Sequence, residues 1–275
     1  MTETKVPVPT ALGIGGPLIQ ITSSRGGRYY ELSHFTGQPR VPSVTSILDG
    51  TLRNYGLEAW RQQHIERGLE AHRGKTLSAE AIDRIMGASA AEAQASADLG
   101  ITMHSIIDGL LQGQEVAVPT QLEPAVQGFL RWRTRFSHWE LQGSEVTVYD
   151  EVLGYAGTVD ALWYDTENEH CIVVDWKTSA GLYASALMQV SAYAHALEKM
   201  LHGQGILHLG TNVRGMVVRF GNGYPQVRGQ KDRSQPKLFT SSVEYAWSDN
   251  AQWEAFETCL RLSKANKGRI VTETL

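Results

Sequence analysis

Two short stretches, 157–164 and 171–177, are rich in β-branched and aromatic residues, and the polar run 165–170 separates them. That pattern predicts a β-hairpin. With the turn centred between Glu167 and Asn168, pairing outward sets Asp160 opposite Asp175, their Cβ atoms about 5 Å apart. Strand side chains alternate, so Lys177 shares the face of Asp175. Residues 145–149 also alternate, placing Glu145, Thr147 and Tyr149 on one face and two valines on the other. Helical patterning covers 54–74, 78–112, 121–138 and 184–200, with Gly100 a break or a close contact, and a last helix runs through Trp253, Phe256, Leu260 and Leu262. Segments 216–220 and 224–228 flank Gly221-Asn222-Gly223 as strand and turn. Residues 17–40 read as short strands and 1–16 as loose chain. The sum is an α/β fold, a mixed central sheet flanked by helices with the hairpin at its centre. One domain spans 1–275, divided into N-terminal strands and loop (1–40), a helical elaboration (41–120) and a core (121–275).

With 275 residues and 42% hydrophobic content, the chain can bury a large core without a second domain. No apolar run reaches bilayer length, and the N-terminus lacks a signal-peptide pattern, so no membrane partner and a cytoplasmic location are expected. The only cysteines, Cys171 and Cys259, supply neither a disulfide framework nor the four thiolates of an iron–sulfur cluster.

The hairpin carries the chemistry. Two carboxylates held that close repel unless a cation lies between them. Mg²⁺ takes oxygen ligands and keeps several waters, so Asp160, Asp175 and the main-chain carbonyl of Trp176 would leave positions for water and a phosphate oxygen. Lys177 could orient that water, help deprotonate it, or neutralise charge developing on a phosphate. The alternative is an ordinary surface ion pair between Asp175 and Lys177, worth little.

Several further pieces occur in order: 42–48 (Pro-Ser-Val-Thr-Ser-Ile-Leu), a helix carrying His104, Glu145, Gly157-Thr158-Val159-Asp160, Asp175-Trp176-Lys177-Thr178-Ser179, and Gln189-Val190-Ser191-Ala192-Tyr193. Over roughly residues 40–265 the chain resembles the PD-(D/E)XK nuclease superfamily, in its RecB-like branch of phage-type and mitochondrial genome-maintenance exonucleases. Val159 stands where the family name has proline, a departure that removes no chemical group. The resemblance implies a restriction-endonuclease-like core and His104 as a further metal ligand, which suits Mn²⁺ as well as Mg²⁺. It places Glu145 at the metal site, as an outer carboxylate or a ligand of a second ion, and Gln189 and Tyr193 at its border. Gln189 and Tyr193 lie four apart and share a helix face. The alternatives are a packing histidine, a solvated edge-strand glutamate and a core tyrosine.

The net charge of −4 hides local clusters. Arg131, Arg133 and Arg135 surround Trp132, and Arg214, Arg219, Arg228, Lys231, Arg233 and Lys237 populate a later segment; they are candidate phosphate-tracking surfaces or plain solvated faces. Tyr29, Tyr30 and Phe35, near Arg25 and Arg28, are candidates to stack unpaired bases or to pack a core. The function these readings imply is a divalent-metal-dependent deoxyribonuclease. An exonuclease acting at DNA ends, single-stranded DNA included, is expected, in recombination, repair or replication in a bacterial or phage-infected cell, with a recombination or replication protein as a partner. An endonuclease of the same fold and a catalytically idle DNA-binding protein are the alternatives.

Overall fold

The computed structural model describes residues 18–22, 27–32, 40–53, 55–203, 212–223, 226–227, 230–231 and 238–265. Three short strands open it, β1 (Leu18–Thr22), β2 (Arg28–Leu32) and β3 (Val41–Pro42), paired in that order as a small sheet. Helix α1 (Val44–Thr51) follows, its N-terminus capped by the Ser43 hydroxyl, which accepts the Ser46 N–H. Helices α2 (Tyr55–Glu70) and α3 (Ala79–Leu111) then run against each other, and α4 (Glu123–Arg135) leads into the main sheet. That sheet comprises β4 (Trp139–Asp150), β5 (Tyr155–Asp165), β6 (His170–Lys177), β7 (Val213–Gly223) and β10 (Leu238–Trp247), in the order β10-β7-β6-β5-β4. The two-residue strands β8 (Gln226–Val227) and β9 (Gln230–Lys231) pair with each other, and α6 (Asn250–Ala265) ends the described chain.

The fold is α/β with a five-stranded mixed sheet flanked by helices, and the hairpin lies within it. Asp165 holds the turn, its Oδ1 accepting the N–H groups of Glu167 and Asn168, both at 3.0 Å. The ladder then runs from Asp165–His170 to Ala161–Val174, which is the predicted register. One step further would pair Asp160 with Asp175, but there the Asp160 carboxylate accepts the Trp176 N–H instead, at 2.7 Å. Strand β6 is the middle strand, and its run Cys171-Ile172-Val173-Val174 is fully buried, as a strand covered on both faces must be. It pairs with β7 in parallel. Parallel neighbours need a crossover, and α5 (Ala184–Gly203) supplies it.

The sheet divides the core into two. On one face Leu162, Val173 and Val217 pack with Val190 and Leu197 of α5 and Phe256 of α6. On the other, Val174, Trp176 and Met216 pack with Met103 and Ile107 of α3 and Phe129 and Trp132 of α4. Tyr30 joins the first core at 1% exposure, which assigns it to packing. Burial pushes the Cys171 thiol up to about 12, the behaviour of an inert packed cysteine.

Two elements differ from the sequence pattern, and at Gly100 the close-contact reading holds. Helix α3 is continuous through Gly100, where a Cβ would lie 3.1 Å from the Thr178 hydroxyl; the glycine permits a close approach and makes no break. In β4 the alternation is not expressed: Val146, Thr147, Val148, Tyr149 and Asp150 are all buried, because the strand is covered on both faces. Strand β10 has no clear signature, since Thr240-Ser241-Ser242 interrupts its apolar positions at the edge of the sheet. Tyr224, Pro225 and Arg228 of the expected 224–228 strand lie outside the described residues, as do 1–17, Arg25 and Phe35. No helix among the described residues is long and apolar enough to cross a membrane.

Candidate metal centre

His104 comes from the second half of α3, where Met103, Ile106 and Ile107 fix the helix against the sheet. Its ring Nε2 lies 2.9 Å from the Trp176 carbonyl oxygen and its Nδ1 3.4 Å from Asp160 Oδ1. A carbonyl only accepts, so Nε2 carries the proton and donates. Nδ1 is thereby turned toward Asp160, the arrangement by which a backbone carbonyl orients a metal-binding imidazole. The Trp176 carbonyl, expected among the ligands, has this other partner.

Glu145 reaches the same place by an unusual backbone. The β4–β5 ladder pairs Ser144 with Ala161 and Val146 with Val159, so Glu145 falls across from Asp160. Its φ is 52°, a left-handed conformation inside a strand. For a residue with a Cβ that costs on the order of 1 kcal/mol, and such strain concentrates at functional sites. One ligand atom from each of His104, Glu145 and Asp160 can be chosen so that all lie within 4.8 Å of one another, a group that could hold a metal ion.

The electrostatics call for a cation. Removal from water, then repulsion from Asp160, pushes Glu145 up to about 7, although its side chain keeps an exposed face that tempers the effect. Burial opposes a charge on His104, but the hydrogen bond and charge of Asp160, with Asp175 behind, outweigh it and push the imidazole up to about 9. Protonation of these two groups offsets the negative charge that a cation would otherwise balance. The mixed nitrogen and oxygen donors could hold a metal ion in place of those protons.

Asp175 stands beside this group. It is 2% exposed, its Oδ2 lies 2.6 Å from Lys177 Nζ, and its Oδ1 accepts the Gln189 amide at 3.0 Å. The Lys177 contact is an ion pair without the direction of a hydrogen bond. Burial raises Asp175 and the Lys177 charge opposes it. For Lys177 burial works against the charge, but Asp175 and Asp160 overcome it and hold the ammonium above its ordinary range. An ammonium held in this way is suited to meeting negative charge.

No protein-family model and no curated protein matches this chain.

Gln189 is the link. Its Oε1 accepts Lys177 Nζ at 3.2 Å, while its Nε2 donates to Asp175 and, at 2.9 Å, to the Tyr193 hydroxyl. Gln189 and Tyr193 do share one face of α5, and both are buried. The Tyr193 ring lies against Gly157, where a Cβ would be 2.1 Å from Cε1. Two charged groups near the centre carried little signal in the sequence. Asp49, one turn past the Thr45-Ser46 pair, feels the charges of Arg28 and Lys177, and Arg28 also acts on Glu145.

The arginines of α4 are occupied. Arg131 donates to the Ser241 carbonyl, Arg133 to the carbonyls of Phe136 and Trp139, and Arg135 lies over Phe136 and Tyr245. Arg214 covers Trp247 at 4.0 Å and Arg219 is buried. Arg233 and Lys237 lie outside the described residues, as does the Lys231 side chain.

A pH dependence follows from the two displaced protons. A metal ion bound here would compete with a proton on His104 below about 9 and on Glu145 below about 7, so its affinity should rise with pH up to about 9, most steeply below about 7, and level off above. Calorimetric titration with Mn²⁺ in buffers of different ionisation enthalpy reads both the affinity and the protons released. Affinity independent of pH, with no proton release, would remove His104 and Glu145 from the centre.

Proposed function

We propose that this chain is a divalent-metal-dependent deoxyribonuclease of the PD-(D/E)XK kind, in its RecB-like branch, hydrolysing phosphodiesters from DNA ends with Mg²⁺ or Mn²⁺. The observation that carries the reading is the juxtaposition of a metal-competent group, His104, Glu145 and Asp160, with the Asp175–Lys177–Gln189 network at the end of the same hairpin. A carboxylate-rich cation site with a charged lysine beside it is an arrangement for stabilising a phosphoryl group in transfer.

A bound ion would polarise the phosphoryl group and supply an activated water. His104 would offer Nδ1 while the Trp176 carbonyl keeps its ring oriented. Asp160 would be shared between the ion and the Trp176 N–H, which ties the carboxylate to β6. Lys177, charged and braced by Asp175 and Gln189, would face the negative charge that grows on the phosphate. The products would be a 5′-phosphate and a 3′-hydroxyl.

The exonuclease reading rests on access. Helix α3 passes over the end of β6, touching it through His104 and, at Gly100, the Thr178 hydroxyl, and α2 packs on α3. A strand entering beneath such a helical pair would thread from an end. Linear single-stranded DNA should be degraded to short products in Mg²⁺ or Mn²⁺. A covalently closed circle of the same sequence should survive at least roughly tenfold longer, about 1.4 kcal/mol in effective barrier. Equal rates on both would make the enzyme an endonuclease, and no cleavage of either would end the nuclease reading.

A further inference from the structure

The loop that leaves Lys177 has all its carbonyls engaged. The Asn222 amide donates to the Thr178 carbonyl. Arg219 donates from Nε to the Ser179 carbonyl at 2.8 Å and from a terminal nitrogen to the Ala180 carbonyl at 2.9 Å. The Ser179 hydroxyl closes the series on the Gly181 carbonyl at 2.8 Å. Arg219 is 7% exposed, pairs with Lys177 in the β6–β7 ladder, and spends its remaining terminal nitrogen on Glu244 at 2.8 Å. Its guanidinium has no free arm for a ligand. It serves the loop.

In a trans peptide the carbonyl and the N–H point to opposite sides, and none of the described peptides is cis. With the carbonyls of Thr178, Ser179 and Ala180 drawn toward β7, the N–H groups of Ser179, Ala180 and Gly181 are turned the other way. None of the three has a protein partner among the described residues. Ala180 is exposed and its neighbours are partly so, which leaves these donors open to solvent. Successive main-chain N–H groups presented on one side form an anion-binding surface.

We infer that the Ser179–Gly181 segment binds a phosphate of the DNA strand next to the one being cleaved, and that Arg219 and Asn222 are positioning residues that keep its N–H groups turned outward. The inference rests on the nuclease reading for the identity of the anion. It adds a fixed second contact directly after Lys177, which would set the strand's register over the centre. Because this contact is to a phosphate that does not react, its loss weakens binding more than turnover.

The test uses ¹⁵N-labelled full-length protein in EDTA, where no cleavage occurs, titrated first with inorganic phosphate and then with a single-stranded oligodeoxynucleotide. The amide protons of Ser179, Ala180 and Gly181 should shift downfield with both probes. In Arg219→Gln those shifts should disappear and KM for cleavage in Mg²⁺ should rise about tenfold, the scale of losing one charge-assisted hydrogen bond, with kcat little changed. Arg219→Lys should recover part of the loss. If Arg219→Gln does not fold, Asn222→Ala, which removes only the Thr178 anchor, takes its place. Unshifted amides in the wild type, or a variant that loses kcat at constant KM, would overturn the inference. A wild type that shifts with phosphate yet never cleaves DNA would retain the anion site and discard the nuclease reading.

Discussion

Asp160→Asn, Asp175→Asn and Lys177→Ala should each lower the proposed cleavage rate by on the order of a thousandfold or more, the effect expected when a preorganised charge facing a reacting phosphate is removed. The three lose activity for different reasons. Asp160→Asn keeps an acceptor for the Trp176 N–H but gives up the charge that His104 and a cation share, so it should also raise the metal concentration needed for saturation. Asp175→Asn can still accept from Gln189, yet it strips the counter-charge from Lys177. Since the lysine side chain is 27% exposed, water screens part of that loss, and the stability cost should be about 1–3 kcal/mol. Lys177→Ala should leave metal binding nearly intact while abolishing turnover. Calorimetric metal titration beside a gel assay separates the cases. Ca²⁺ should occupy the centre in the wild type without supporting cleavage, its looser coordination being ill-matched to in-line positioning. Near wild-type rates for Asp175→Asn in Mg²⁺ would refute the assignment of this network to catalysis.

The second large effect is structural. Gly157→Ala places a methyl group 2.1 Å from the Tyr193 ring, which is 3% exposed and tethered through its hydroxyl to Gln189. Overpacking of a filled core costs about 1–3 kcal/mol and sometimes more, and this contact leaves no flexible end to yield. Either the ring moves, drawing Gln189 away from Asp175 and Lys177, or β5 moves, carrying Asp160 with it. A melting temperature several degrees lower should therefore come with lost activity, and Tyr193→Leu in the same chain should restore part of the stability. An unchanged melting curve for Gly157→Ala would mean that Tyr193 does not pack there in solution.

The hairpin was legible because its determinants are local. A polar turn between two β-branched runs set the register, and Asp165 enforces it through its own side chain. The α5 face bearing Gln189 and Tyr193 was legible for the same reason, four residues making one turn. The parts that escaped depend on distant partners. Whether Trp176 offers its carbonyl to an ion or to His104 is decided by how α3 docks. The left-handed Glu145 has no signature in a string of residues that otherwise favour a strand. Arg219 looked like a surface cation among others, and only the fold shows its guanidinium buried among carbonyls. Strand β10 is held by pairing with β7 more than by its own pattern.

The bond between His104 and the Trp176 carbonyl joins residues 72 apart in the chain. Loop closure over such a span must be met before any contact repays it, whereas the β4, β5 and β6 strands can assemble from near neighbours. The carboxylates of Glu145 and Asp160 would thus come together early, and the imidazole would arrive last, with the docking of α3. Until that step, the nascent centre has oxygen donors only and a correspondingly loose hold on a cation.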